Sequence, residues 1–238
     1  RFPDAWAAIE HFFRQEWSDG LPVVPPTEAL VAQMLKGTGR DPKDVVGQVP
    51  PRFGDATVES VAVHAVMAGC QPAYLPVVIA ALEALLEPAF GLHGVIATTH
   101  VSTPLVIVNG PITRELDING GYNLFGQGWR ANATIGRALR LIIGNLGGGL
   151  PGGTDQSTLG HPGKYTYCIA ASSVWLRYMK SLKDRMFAAG LGSRTYLKTS
   201  SLRSGGRSGR SSLNTQLLPT SSYDPGCPKL PELIRARI

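Results

Sequence analysis

The chain has little sulfur. Its three cysteines, Cys70, Cys168 and Cys227, lie far apart and form no C-x-x-C pair. An odd, sparse set argues against a secreted disulfide framework and for a reducing, cytoplasmic setting. Long apolar runs are also missing. A membrane span needs about 18 consecutive apolar residues, and the best candidate, Tyr74 to Leu86, is interrupted by Pro76 and Glu83. The opening segment carries Asp4, Glu10 and Arg14 on an amphipathic pattern, unlike a signal peptide. No G-x-S-x-G, P-loop, H-E-x-x-H or EF-hand pattern occurs. These absences remove the membrane as an expected partner and leave the commonest catalytic signatures unfilled.

What is present is unevenly charged. The net charge of +6 resembles a nucleic-acid signal, but residues 1–172 hold 11 Lys+Arg against 14 Asp+Glu. The remaining 12 basic and 3 acidic residues fall in 173–238. The first part is thus mildly acidic, and nucleic acid is not its expected partner. The chain is read as a globular α/β domain over 1–172 and a basic Ser/Arg/Gly-rich tail over 173–238. Ser200 to Ser212 has too few apolar residues to offset its chain entropy and is expected to be disordered. Contact with an anionic surface and a non-native origin both account for such a tail.

The globular part reads as a mixed α/β fold, with amphipathic helices packed on a small mixed sheet. Trp6, Ile9, Phe13 and Trp17 recur at helical spacing over Asp4–Trp17. Thr27 is a cap for a helix to about Leu35, and Lys36–Arg52 reads as loop, with Pro50-Pro51 extended. Asp55 and Thr57 precede a helix through Ala68, closed by Gly69 in the left-handed conformation. Pro72 opens a fourth helix, stopped by Pro88. Val95–Thr98 and Leu105–Val108 read as short strands, Ala133–Leu146 as the strongest helix, and Tyr165–Ala170 as a last strand. Gly147–Gly153 reads as a flexible connector.

Candidate site residues gather around that strongest helix. Gly126-Gln-Gly128-Trp-Arg-Ala131 matches G-x-G-x-x-A, but no convincing strand precedes it, and Asp155 lies in a glycine loop. A dinucleotide site is therefore not expected. The helix start offers free N–H groups, with Asn132 as its cap and Arg130 and Arg137 beside it, a pattern that suits a carboxylate or phosphate. His93, His100 and His161 fall at strand ends or in Gly/Pro loops, where acid–base groups reside. His93 and His100 would lie at opposite ends of one strand, which argues against a shared metal, and no metal site is expected. Cys70, between a terminal glycine and Pro72, is a candidate thiol.

Several segments together resemble a family of poorly characterised bacterial proteins. They are W-S-D-G-L-P-V-V-P-P-T at Trp17–Thr27, Val49–Arg52, Ala65–Pro72, His93–His100, Val108–Pro111, G-W-R-A-N-A-T-I-G-R at Gly128–Arg137 and His161–Tyr165. Members of that family look like companions of small redox (seleno)proteins with a U/C-G-S-C motif. By analogy, the resemblance implies thiol- or selenol-linked reductive or transfer chemistry. The family pattern continues beyond Ala170 with an acidic stretch that this chain lacks, as after a shifted reading frame or a truncation.

The resulting expectation is an enzyme, or enzyme subunit, for a small anionic substrate. Arg130, Arg137 and Asn132 would bind it with Trp129, His93 and Lys164; His100 or His161 would move protons, and Cys70 would supply a thiol. The alternative is a non-catalytic subunit that docks a UGSC-type redox protein through an apolar patch at Trp6, Phe13 and Trp17. No cofactor is indicated.

Overall fold

The computed structural model describes residues 2–171 and 200–201. Thr27 and Thr57 act as helix caps. Thr27 Oγ1 accepts from Leu30 N at the start of the helix Glu28–Leu35 (α2), which follows Ala5–Arg14 (α1). Thr57 Oγ1 accepts from Ser60 N at the start of Val58–Ala68 (α3). Gly69 ends α3 at φ 87°, a conformation costly to any residue with a Cβ. Pro72–Tyr74 forms a 3-10 turn leading into Leu75–Leu86 (α4). The long helix near the chain's middle, Arg130–Asn145, is α7, preceded by the short helices Leu92–Ile96 (α5) and Ile112–Glu115 (α6).

The core is helical. α3 packs most extensively on α7, with α2 and α4 also against α3. Nine of the eleven residues of α3 are buried, so it is enclosed on nearly every side rather than amphipathic. Leu75, Leu82, Ile135 and Ile142 are fully buried, each contributing about 1.5–3 kcal/mol relative to exposure. Val106–Asn109 (β3) pairs in parallel with Cys168–Ala170 (β4), and α7 lies in the connection between them, as parallel pairing requires a crossover. The chain closes on this pair because Gly136 of α7 lets Thr166 and Tyr167 approach. A Cβ there would stand 2.5 Å from Thr166 Oγ1 and 2.6 Å from Tyr167 N.

The mixed α/β reading holds, and several local expectations are corrected. The supposed loop before Arg52 contains Val45–Val49 (β1), paired antiparallel with Gly54–Thr57 (β2), with a register shift between Val45 and Gly47. The Pro50–Pro51 bond in its turn is cis rather than part of an extended run. Val95 and Ile96 belong to helix α5, not a strand, and both are buried. The last strand is only Cys168–Ala170. Gly147–Gly149 is not a loose connector: all three residues are buried and hydrogen-bonded to the last turn of α7. In α1 the buried positions are Ala8 and Phe12, while Trp6 is 66% exposed.

Of the tail, Ser200–Ser201 (β5) pairs in parallel with the other edge of β3. A free strand edge offers unpaired N–H and C=O groups that a second strand satisfies. The rest of the 173–238 expectation lies outside the described residues. No single helix among the described residues is long and apolar enough to cross a membrane. Pro72–Leu86 and Pro88–Ile96 pass together by length and composition, but they bend by 70° and their apolar side chains lie largely in the core.

His64 sits at 2% exposure within α3, its Nδ1 2.7 Å from Ser60 O. Burial lowers its pKa from 6.5 to about 4, and the Ser60 bond only partly opposes this. The unfolded chain therefore binds a proton that the folded chain refuses between pH 6.5 and 4. Stability is full above the unfolded value and falls with pH through this window, by about 3 kcal/mol at 1.36 kcal/mol per unit. Urea unfolding from pH 7.5 to 4 should show that loss, and His64→Leu should flatten it. An unchanged slope in the variant would assign the loss to other groups.

Candidate functional site

The C-terminal half of α7 forms one wall of a cleft of about 1060 Å³. Arg140, Leu141, Gly144 and Asn145 line it from α7; Ser18–Gly20 and the segment 150–165 close it. Two side chains of α7 hold the Trp17–Pro22 segment in place. Arg137 grips Asp19 through Nε (2.8 Å) and Nη2 (2.7 Å) and also donates to the carbonyls of Leu21 and Pro22. Asn145 Nδ2 donates to Trp17 O at 3.0 Å. The opposite wall is held by its backbone: Gln156 N donates to Thr98 O, and Thr158 N to Thr99 O.

Asp155 is the anchor of that wall. Its carboxylate is 4% exposed and accepts from Lys164 Nζ at 3.0 and 2.8 Å. Ser157 supplies Oγ at 2.8 Å and N at 3.2 Å, and Arg140 Nη2 lies 3.4 Å away. Burial alone would raise the Asp155 pKa; the hydrogen bonds from Lys164 and Ser157 outweigh it and hold the carboxyl below its usual range. Lys164 Nζ also donates to Ser157 Oγ at 2.7 Å, so its three N–H groups are all engaged. Toward Ser157 it is thus placed as a donor, not as an acceptor of the hydroxyl proton. Burial lowers the Arg140 pKa, and the Asp155 charge opposes this.

His161 is set by the Pro162–Lys164 3-10 turn that follows it. Its Nδ1 accepts from Gly163 N at 3.1 Å, which places the neutral ring's proton on Nε2. The ring meets Tyr167 edge-on at 5.8 Å, and Tyr167 in turn packs on Phe125 at 5.0 Å. The acceptors in the cleft walls, Asp19 and Asp155, are thus committed to internal cations. Beside them, the Nε and Nη1 groups of Arg140 and the Nε2–H of His161 make no hydrogen bond among the described residues, and Asn145, Gln156 and Tyr165 add further polar atoms to the lining.

The structure brings His161 and Lys164 together in the cleft and adds Arg140, Asp155 and Ser157, which sequence reasoning missed. The missed signal is Asp-x-Ser: a short polar pair that closes a local turn, Ser157 N on Asp155 Oδ1. His100 contributes its carbonyl, which accepts from Ser157 Oγ, while the residue itself is exposed. His93 lies on α5 against Phe53, ring centroids 6.1 Å apart, and does not line the cleft.

The expected anion clamp at the start of α7 is corrected in three respects. The helix begins at Arg130 with Trp129 at the cap position, so Asn132 is an interior, buried residue. Its side chain accepts from Asn119 N and donates to Asn119 O and Leu124 O, which fastens the 119–124 loop. Arg137 belongs to the ion pair with Asp19. Arg130 alone remains at the surface, donating to Gly69 O through Nε and Nη2. Cys70 lies next to it, 6% exposed, with Sγ on Thr134 O at 3.4 Å; burial raises its pKa to about 11. It is therefore a thiol at neutral pH, not the reactive thiolate that the turn suggested. Burial also pushes Cys168 upward.

The G-x-G-x-x-A segment has no strand directly before it. Among the described residues, no group of three His, Cys, Asp or Glu side chains could hold a metal ion. No family model matches the chain, and no curated protein or solved structure matches it either.

Asp155→Asn should expose how much the cleft wall depends on this charge. Removing one partner of a buried ion pair costs about 3 kcal/mol. Urea unfolding of wild type and variant should differ by that amount at pH 7. The folded Asp155 pKa is depressed, so the difference is complete above about pH 4, the unfolded value, and shrinks as pH falls through the folded value. A constant difference down to pH 2 would remove the charge from the explanation.

Proposed function

We propose that the cleft binds a small anionic substrate, and that the chain is an enzyme or enzyme subunit acting on it. One observation carries this reading: the two carboxylates of the cleft walls are neutralised internally, while Arg140 and His161 keep donor groups that make no hydrogen bond among the described residues. A carboxylate or phosphate oxygen satisfies both, and an Arg fork suits such groups better than a single point charge. Lys164 supports the site from behind, with its charge balanced by Asp155. His161, held by Gly163 and Tyr167, is the group for hydrogen bonding or proton movement at the bound molecule.

The thiol- or selenol-linked chemistry implied by the family resemblance has no sulfur in the cleft among the described residues. Neither Cys70 nor Cys168 lines this cleft. A second reading, a subunit that docks such a redox protein, is favoured by the cleft's rim. Leu159 is 90% and Tyr165 46% exposed, and both line it. The Trp6–Phe13–Trp17 patch supports docking less, since Trp17 is buried.

Thermal unfolding with malonate, succinate or inorganic phosphate tests the substrate reading. At 100 times Kd a ligand adds about 2.7 kcal/mol to the stability. At least one anion should raise the Tm saturably beyond matched sodium chloride, and Arg140→Gln should weaken it tenfold or more. No saturable shift, or an equal one in the variant, would sink the proposal.

A further inference from the structure

A second groove opens at the other end of α7. It has a volume of about 590 Å³, within the range of small-molecule sites, and is walled by Val24, Leu30, Met34, Val66 and Ala73, with Cys70 and Arg130 among its polar lining. Leu30 is 37% and Val24 43% exposed, so large apolar side chains face solvent here rather than closing over one another. Arg130 and Arg140 are ten residues apart on one helix, about 15 Å along its axis. The groove is therefore separate from the cleft.

Arg130 gives the groove a direction. Its Nε and Nη2 both donate to Gly69 O, at 3.0 and 2.9 Å. That uses the side edge of the guanidinium and holds its plane. The end edge, formed by Nη1 and the second Nη2 proton, makes no hydrogen bond among the described residues. None of the ion pairs among them includes Arg130. An Arg end edge takes a carboxylate through two parallel bonds. A fixed cation with no carboxylate partner among the described residues, beside an open apolar wall, is complementary to a molecule with one carboxylate and a hydrocarbon body.

We propose that this groove is a binding site for a small amphiphilic monocarboxylate, its carboxylate on the Arg130 end edge and its hydrocarbon part along Val24, Leu30 and Met34. The site does not depend on the function assigned to the cleft. Octanoate is the probe, with 1-octanol as its uncharged counterpart. Calorimetric titration should show octanoate binding at least tenfold tighter than octanol. Arg130→Gln should abolish that difference while leaving octanol binding as it was, Arg130→Lys should restore part of it, and Leu30→Asp should weaken both ligands. Because a substitution can perturb folding, a diazirine-bearing octanoic acid should also be photocrosslinked to the wild-type chain. Labelling within residues 24–34 or 66–73 is expected. Labelling confined to residues 150–165, or equal affinity for octanoate and octanol in the wild type, would overturn the proposal.

Discussion

A helix enclosed on most of its surface cannot leave its polar side chains to water, and α7 carries several. Burying an amide or a guanidinium without partners costs several kcal/mol. Each such side chain on α7 therefore binds another part of the chain. Asn132 fastens the 119–124 loop, Arg137 the 19–22 segment, Arg140 the loop at Gly149 and Asp155, and Asn145 the carbonyl of Trp17. Three irregular segments thus take their places from one helix, the 17–22 segment through two of its side chains. The cleft is the space between two of them, so its shape follows from how the helix is neutralised.

This arrangement explains why two of the motif-bearing segments are far apart in sequence yet act together. Asp19 belongs to the Trp17–Thr27 stretch and Arg137 to the Gly128–Arg137 stretch, 118 residues away, and they form a two-point ion pair. Their side chains are only 6% and 15% exposed. Loss of either charge would leave the other buried and unpaired, which is the costly case for a buried pair. The residue types in these segments are thus explained by mutual neutralisation before any ligand is considered.

The same physics marks where sequence reading succeeded and where it failed. Thr27, Thr57 and Gly69 were legible because capping is a local matter of one side chain or one φ angle. The β1–β2 hairpin was not: Gly47, Gln48, Gly54 and Asp55 have no strand preference, and the pairing rests on contact with α4 and the end of α7. Val95 and Ile96 show the converse, a β-branched pair placed in a helix by burial. Gly147–Gly149 looked loose because glycine is permissive. In the fold, however, the absence of Cβ atoms is what lets Pro50 and Ile96 approach so closely. At the site, residue type was read correctly and assignment was not. Arg137 and Asn132 suit anions, but a sequence does not show that Asp19 and Asn119 reach them first.

The inward use of charge also limits what chemistry the chain can perform. A serine beside a lysine suggests nucleophilic catalysis, yet Lys164 gives two of its protons to Asp155 and the third to Ser157. In each of these three contacts Lys164 donates, and none has it accepting the Ser157 proton. The Ser157 proton, for its part, is directed at His100 O or Asp155. The trio therefore makes a rigid wall rather than a nucleophile. Cys70 is restrained in the same way, since its burial favours the neutral thiol. Ser157 is thus held by its neighbours and Cys70 as a neutral thiol, and the donor groups of Arg140 and His161 are what these contacts leave uncommitted.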